Sequence, residues 1–567
     1  MKVLWRLCFV IVSSSLMLAQ SNTSPETSAS PSTVTDQIKA LRETLTEQQR
    51  QIAQQQQQIQ NLQQQVAARK EVAEKDGSAS SHLINASLTS TNASNPAALP
   101  ASDTPAQEKP KESPLSFRIG GADFTPGGYV DFENVFRSTN TGNVAGTNFW
   151  AIPYSNTVAG HLTEFRSTGQ YSRFNLKTHA NYGQNDITGF IEFDFNGNDP
   201  ANVFVTSNSH TDRLRLFWLD LKRGKWEFVG GQVWGLLTAN RQGVSPNSAD
   251  VFTTFNEDAN HQVGNNFTRA AQFRVAYHFN DHVVWAVGVE NPQQFTGQGA
   301  EVVFPTAFNA ALGPQFDAAN NTGTPNLSPD IISKLAYDNN FAGGRHFHFE
   351  AGGLFTAVKI ANIPTVAGAT FNSHSAVGGG VEGGLSIDLV KGSEGRLLRF
   401  VTNGLWGPGV GRYLLGTGPQ AVVAPVSANG ATCTSAGGCD LAISMVHAGN
   451  ALGGVEFVPH PKVQFGVYYG AAYFQRNFFP DLTSPAATKP IIGFGGPGEA
   501  NNLVQNRAIQ EGTIDLIHTF WRNPQYGAVQ LVTQASYVTR SPWFVAPGAP
   551  KNAHLTMGYV SLKYILP

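Results

Sequence analysis

Residues 170–182, "QYSRFNLKTHANY", alternate in character. Arg173, Asn175, Lys177, His179 and Asn181 take one parity, and Phe174, Leu176, Thr178, Ala180 and Tyr182 take the other. Side chains of a β-strand point to opposite faces in turn, so the pattern predicts a strand with one polar and one apolar side. Sixteen segments of this kind run from 127–137 to 552–566.

The links between them alternate too. "YGQND", "KRGK", "FNDH", "DNNFAGG", "VKGSEG", "VPHPK" and "WRNPQY" are short, and each takes its turn with a long connection: 138–169, 197–211, 236–268, 292–329, 360–374, 407–440, 477–505 and 541–551. A soluble sandwich has no reason to keep short links at one end and long ones at the other. An up-and-down barrel with its ends in different compartments does. The expected fold is therefore all-β, a 16-stranded antiparallel transmembrane β-barrel over 115–567. After the first 20 residues no run of about 18 apolar residues appears, which argues against helical spans. The short links are expected to face the periplasm and the long ones the outside.

Strand faces follow from parity. In 186–196, Ile187, Ile191, Phe193 and Phe195 are expected outside, with Thr188, Glu192 and Asp194 inside. In 212–222, Leu214, Leu216 and Trp218 are expected outside and Arg213 and Arg215 inside. In 269–280, Phe273, Val275 and Tyr277 go out while Gln272, Arg274 and His278 go in. The parity of Trp226, Gln232 and Trp234 fits either face.

The first residues, "MKVLWRLCFVIVSSSLMLAQ", carry Lys2 and Arg6, a short apolar stretch and a small residue, Ala19, suited to cleavage, so 1–20 reads as a secretory signal. Residues 36–75 repeat Ile38, Leu45, Ile52, Ile59 and Val66 at one heptad position, which predicts a periplasmic α-helical coiled coil. The following stretch, 76–114, is rich in Ser, Ala, Asn and Pro and reads as a flexible linker.

Composition narrows the function. A formal net charge of -2 gives no field for nucleic acid, and only 14% of residues are charged. Of three cysteines, Cys8 would leave with the signal, and Cys433 and Cys439 in "CTSAGGC" are expected to form a disulfide.

A sixteen-stranded barrel encloses an aqueous channel. Its inner wall is expected to carry the basic residues Arg173, Lys177, Arg213, Arg215 and Arg274 and the acidic Glu192 and Asp194. The third long loop, 236–268, is expected to narrow the pore, with Arg241, Asp250, Glu257 and Asp258 as its charged positions. Acidic loop against basic wall would set a transverse field that filters solutes by charge. Alternatively, Glu192 and Asp194 would neutralise the arginines and leave a wall without selectivity. "RHFHFE" puts His346, His348 and Glu350 on one strand face, better read as lumen lining than as a metal site. No nucleophile elbow or phosphate loop is visible, so neither an enzyme nor a cofactor or metal is expected.

The whole arrangement resembles the DcaP-like trimeric outer-membrane porins of the porin superfamily. So do the local features "LRLFWLDLKRGKWEFVGGQVWG" (214–235), "AAQFRVAY" (270–277), "PDIISKLAYD" (329–338) and "GVGRYLLG" (409–416). The resemblance implies a homotrimer in the cell outer membrane and passive uptake of small, mostly anionic solutes such as dicarboxylates. The trimer comes from the resemblance; the heptads do not fix strand number. The partners to expect are outer-membrane lipid, small anionic or polar solutes, a second and third copy of the chain, and peptidoglycan at the coiled coil. Rival readings are a non-selective, phosphate- or sugar-preferring porin, and a structural protein that tethers the outer membrane.

Overall fold

A computed structural model describes residues 113–143, 145–197, 210–299, 301–318, 323–498 and 503–567. The signal segment 1–20, the coiled coil 36–75 and all of the linker 76–114 but its last two residues lie outside the described residues.

Sixteen strands close into one antiparallel barrel. They are β1 (Ala122–Arg137), β2 (Glu164–Thr168 and Arg173–Tyr182), β3 (Asn185–Asp194), β4 (Arg213–Arg223), β5 (Trp226–Trp234), β6 (Arg269–His278), β7 (Val283–Glu290) and β8 (Asp330–Phe341). The second half holds β9 (Arg345–Asn362), β10 (Asn372–Lys391), β11 (Leu397–Pro408), β12 (His447–His460), β13 (Val463–Phe474), β14 (Asn506–Asn523), β15 (Gly527–Pro542) and β16 (Ala553–Ile565). The two pieces of β2 make one stave, because both pair with β1. Closure comes from β1 and β16, in register from Tyr129↔Ile565 to Arg137↔Met557. Every backbone polar group of a spanning strand can then be met within the sheet, the condition for crossing lipid.

Short connections all fall at one end. Those between β2 and β3 and between β4 and β5 are two-residue hairpins that begin with Gly183 and Gly224, at φ 61° and 58°. A glycine with positive φ at the first loop position gives the turn whose twist matches the flanking strands. Outside, apolar side chains form a belt with no protein over it: Phe132 is 55% exposed, Val560 48%, Leu562 47% and Val467 54%. A face of this kind suits acyl chains and would be a liability in water.

Strand 212–222 departs from its expected parity. β3 pairs Phe193 with Leu214 but Glu192 with Leu216, so Arg215 is an extra residue in a bulge. From there the faces swap. Leu216 and Trp218 point inward and are buried, while Phe217 and Leu219 lie outside. Inside, Trp218 stacks on Phe190 with ring centroids 5.3 Å apart. The two tryptophans of β5 also part company: Trp226 is exposed on the outside, and Trp234 is buried beside Arg215 and Arg269.

The long connections carry structure of their own that strand counting missed. Hairpins Ala421–Ser427 with Cys439–Met445 and Asn477–Pro480 with Ile491–Phe494 stand at the long-loop end. Cys433 and Cys439 are disulfide-bonded beside the first of these, in a small apolar cluster with Phe308, Phe316, Val423 and Leu441.

Candidate functional site

The loop 235–268 enters the barrel and crosses it. Its backbone touches the far wall, where the Val263 amide donates to Glu511 of β14 at 2.7 Å and the Phe255 amide to the Tyr468 hydroxyl of β13 at 3.1 Å. A Cβ on Gly470 would sit 1.7 Å from the Val263 carbonyl oxygen, so β13 is bare where the loop presses against it. On the near side, Lys334 of β8 donates to the Thr238 carbonyl at 2.9 Å, and Asn240 donates its amide to Glu350 of β9 at 3.1 Å. Buried carboxylates thus satisfy loop amides that would otherwise lack a partner.

Three of the loop's charged side chains go to different walls. Asp258 bonds Arg173 of β2, Glu257 meets Lys563 of β16 at 2.6 Å, and Arg241 reaches Glu456 of β12 at 2.6 Å. Asp250 is half-buried, and its carbonyl accepts from the Arg241 amide. Burial alone would raise the Asp258 carboxyl, but the guanidiniums of Arg173 and Arg215 outweigh it and hold it well below the usual carboxylate range. His261 packs between Tyr171 and Tyr559, 3.0 Å from the Tyr171 hydroxyl. Burial pushes its imidazole down to about 3, against the pull of Asp258, so the ring is neutral near pH 7.

These contacts correct the expected transverse field. Arg173 touches the acidic loop directly instead of facing it across water. Arg274 is spent on the carbonyls of Val244 and Trp234, at 2.7 and 2.8 Å. Arg213 bonds Asp194 at 2.6 Å and Arg215 bonds Glu192 at 2.5 Å, which is the neutralised alternative for those two pairs. Lys177 lies on β2, four residues nearer the short-turn end than Arg173, and is half-buried. His348 and Glu350 belong to an ion-pair network on the inner wall, with Asp338 at 2.8 Å from His348 and Lys334 at 3.0 Å from Glu350. His346 stands at its edge, 3.4 Å from Asp338.

A different group of charges surrounds open space. At the long-loop end a cavity of about 550 Å³ is lined by four arginines, Arg213, Arg215, Arg269 and Arg412, with Asn148, Asn260, Gln293 and Gln298 among its polar neighbours. Among the described residues, no aspartate or glutamate lines it. Arg412 donates to the Asn291 carbonyl at 3.0 Å and stands 3.7 Å from Asp330. Arg269 has less: its guanidinium lies 5.3 Å from the Trp234 ring centre and 6.0 Å from that of Phe267. Its buried Nη1 meets no acceptor among the described residues. A cation stacked on aromatic faces keeps its charge available in the plane of the ring nitrogens. Neither Arg269 nor Arg412 was singled out by the sequence. Arg269 opens β6 on the parity assigned to the outer face, and Arg412 sits within the "GVGRYLLG" segment, quoted only for its family resemblance.

A closed barrel of sixteen strands, short turns at one end, long loops at the other and one loop folded inside, defines the architecture of outer-membrane porins. Among solved structures, the outer membrane channel DcaP of Acinetobacter baumannii shares this fold: TM-score 0.52, 15% identity, 78% of this chain and 97% of that one covered. The anion-selective porin from Comamonas acidovorans overlaps more loosely, at TM-score 0.40 and 10% identity over 78% of this chain and 99% of the other. No protein-family model matches the chain, and no curated protein matches it in sequence.

Proposed function

We propose that the chain is an outer-membrane porin, a water-filled channel for passive diffusion of small hydrophilic solutes that favours anions such as dicarboxylates. One observation carries the preference: among the described residues, the outer cavity is lined by four arginines and by no carboxylate. Guanidinium groups bind carboxylates through paired N–H donors, and a low-dielectric wall strengthens each contact. The volume suits a small organic acid. The fold shared with DcaP, an outer membrane channel, supports the channel reading. Uncovered apolar strand faces support an outer-membrane location. A homotrimer and the periplasmic coiled coil belong to the same reading and rest on the resemblance and on the heptads of 36–75.

The test is ion current through a planar bilayer holding the purified protein. Discrete conductance steps with a reversal potential displaced toward the anion equilibrium potential are expected. A barrel that carries no current, or one whose reversal potential favours cations, contradicts the reading.

A further inference from the structure

At the seam where the barrel closes, three carboxylates converge. Asp131 and Glu133 stand two residues apart on β1 and share its inner face, and Glu257 descends from the inserted loop. One oxygen from each lies within 4.8 Å of the others, and all three residues are buried, Glu133 completely. Lys563, paired with Asp131 across the β1–β16 register, reaches Glu257 at 2.6 Å and Asp131 at 3.7 Å. Ser561 donates to the other oxygen of Asp131.

Glu133 is left over. Neither of its carboxylate oxygens has a hydrogen-bond partner among the described residues, although its side chain reaches into the space bounded by Asp131 and Glu257. A buried carboxylate without a donor is costly, and the remedies are a proton, a cationic side chain or a bound metal. Three carboxylates against one ammonium leave the group two charges short, which is the charge of one divalent ion. The oxygens of a calcium shell lie about 2.3–2.6 Å from the ion, hence up to about 5 Å apart, and the spread of these three fits within it.

We propose that Asp131, Glu133 and Glu257 form a binding site for a hard divalent cation of the calcium class. The ion fastens the pore loop to the β1–β16 seam. Lys563 flanks the site through Glu257 and leaves the Glu133 side to the metal. The remaining coordination positions go to water, as hard cations accept.

The experiment titrates calcium chloride, and magnesium chloride in a parallel run, into full-length protein purified in detergent and stripped with a chelator. Calorimetry should read one calcium ion per chain, with Kd at or below about 10⁻⁴–10⁻³ M, the range of extracellular sites. Glu133→Gln, which keeps the side-chain shape, should abolish the heat, and Glu257→Gln should do the same. Glu301→Gln, a buried carboxylate elsewhere, should bind as the parent does. Because Glu257→Gln could disturb folding, a second reading is taken: calcium should raise the unfolding temperature of the parent protein and leave that of the heat-modifiable, folded Glu133→Gln unchanged. Absence of calcium and magnesium binding by the parent overturns the proposal. So does calcium binding that survives in Glu133→Gln, or a cluster that takes up protons at neutral pH and excludes the ion.

Discussion

Two rings of charge lie in this barrel, and they are built differently. At the inserted loop, Arg241, Glu257 and Asp258 each find an opposite charge on a different strand, in buried contact. At the outer cavity, Arg213, Arg215 and Arg412 are answered by carboxylates behind the lining, and Arg269 borders open space with no carboxylate partner among the described residues. Paired charges in dry surroundings fix geometry and present little field to a passing solute. A cation without a carboxylate partner, as at Arg269, does the reverse. Loop position and ion preference are therefore assigned to separate residues, even though both groups contain arginine.

Breaking a loop pair has the largest effect. Arg173→Ala strands Asp258 as a buried charge, which costs about 3–5 kcal/mol. Thermal unfolding in detergent should show the loss, and the freed loop should make single-channel currents larger and noisier. The double change Arg173→Ala with Asp258→Ala should recover much of the stability, because no charge is left uncompensated.

The pH dependence sharpens the same side of the comparison. His261 has its folded pKa pushed down to about 3, so between there and its ordinary value the unfolded chain binds the extra proton. Stability from this group is fully present above about pH 6.5 and falls as the pH drops toward 3. At about 1.36 kcal/mol per unit, roughly 3 kcal/mol is lost by pH 4.5. Unfolding temperatures of the parent and of His261→Gln, compared at pH 7 and pH 4.5, should show a smaller fall in the variant. Equal falls would remove the histidine from the account.

Much of the barrel was legible in the sequence because its signals are local. Period-two alternation marks a strand, and a glycine two residues from the partner strand marks a hairpin. The β4 faces were not legible beyond Arg215, since one unpaired residue inverts every side chain after it and only the β3 register reveals the extra residue. Loop charges could be named in advance, but not their partners: Arg241 and Glu456 are brought together by closure of the barrel. The same is true of Glu133, whose neighbours come from the loop and whose strand is sealed by the last one. Arg269 shows a third limit. A residue at the first position of a strand has no reliable parity, and what makes it available is the stacking of Trp234 and Phe267 from the loop ends.

The smallest expected effect in energy bears most directly on the central claim. Reversal potentials in a potassium chloride gradient are compared for the parent, for Arg269→Ser, and for the matched removal Arg213→Ser with Asp194→Ser. The account predicts an anion-selective parent, a clear shift toward cations in Arg269→Ser, and little change when the pair is removed together. A parent without anion preference, or a shift in the matched pair as large as that in Arg269→Ser, would contradict it.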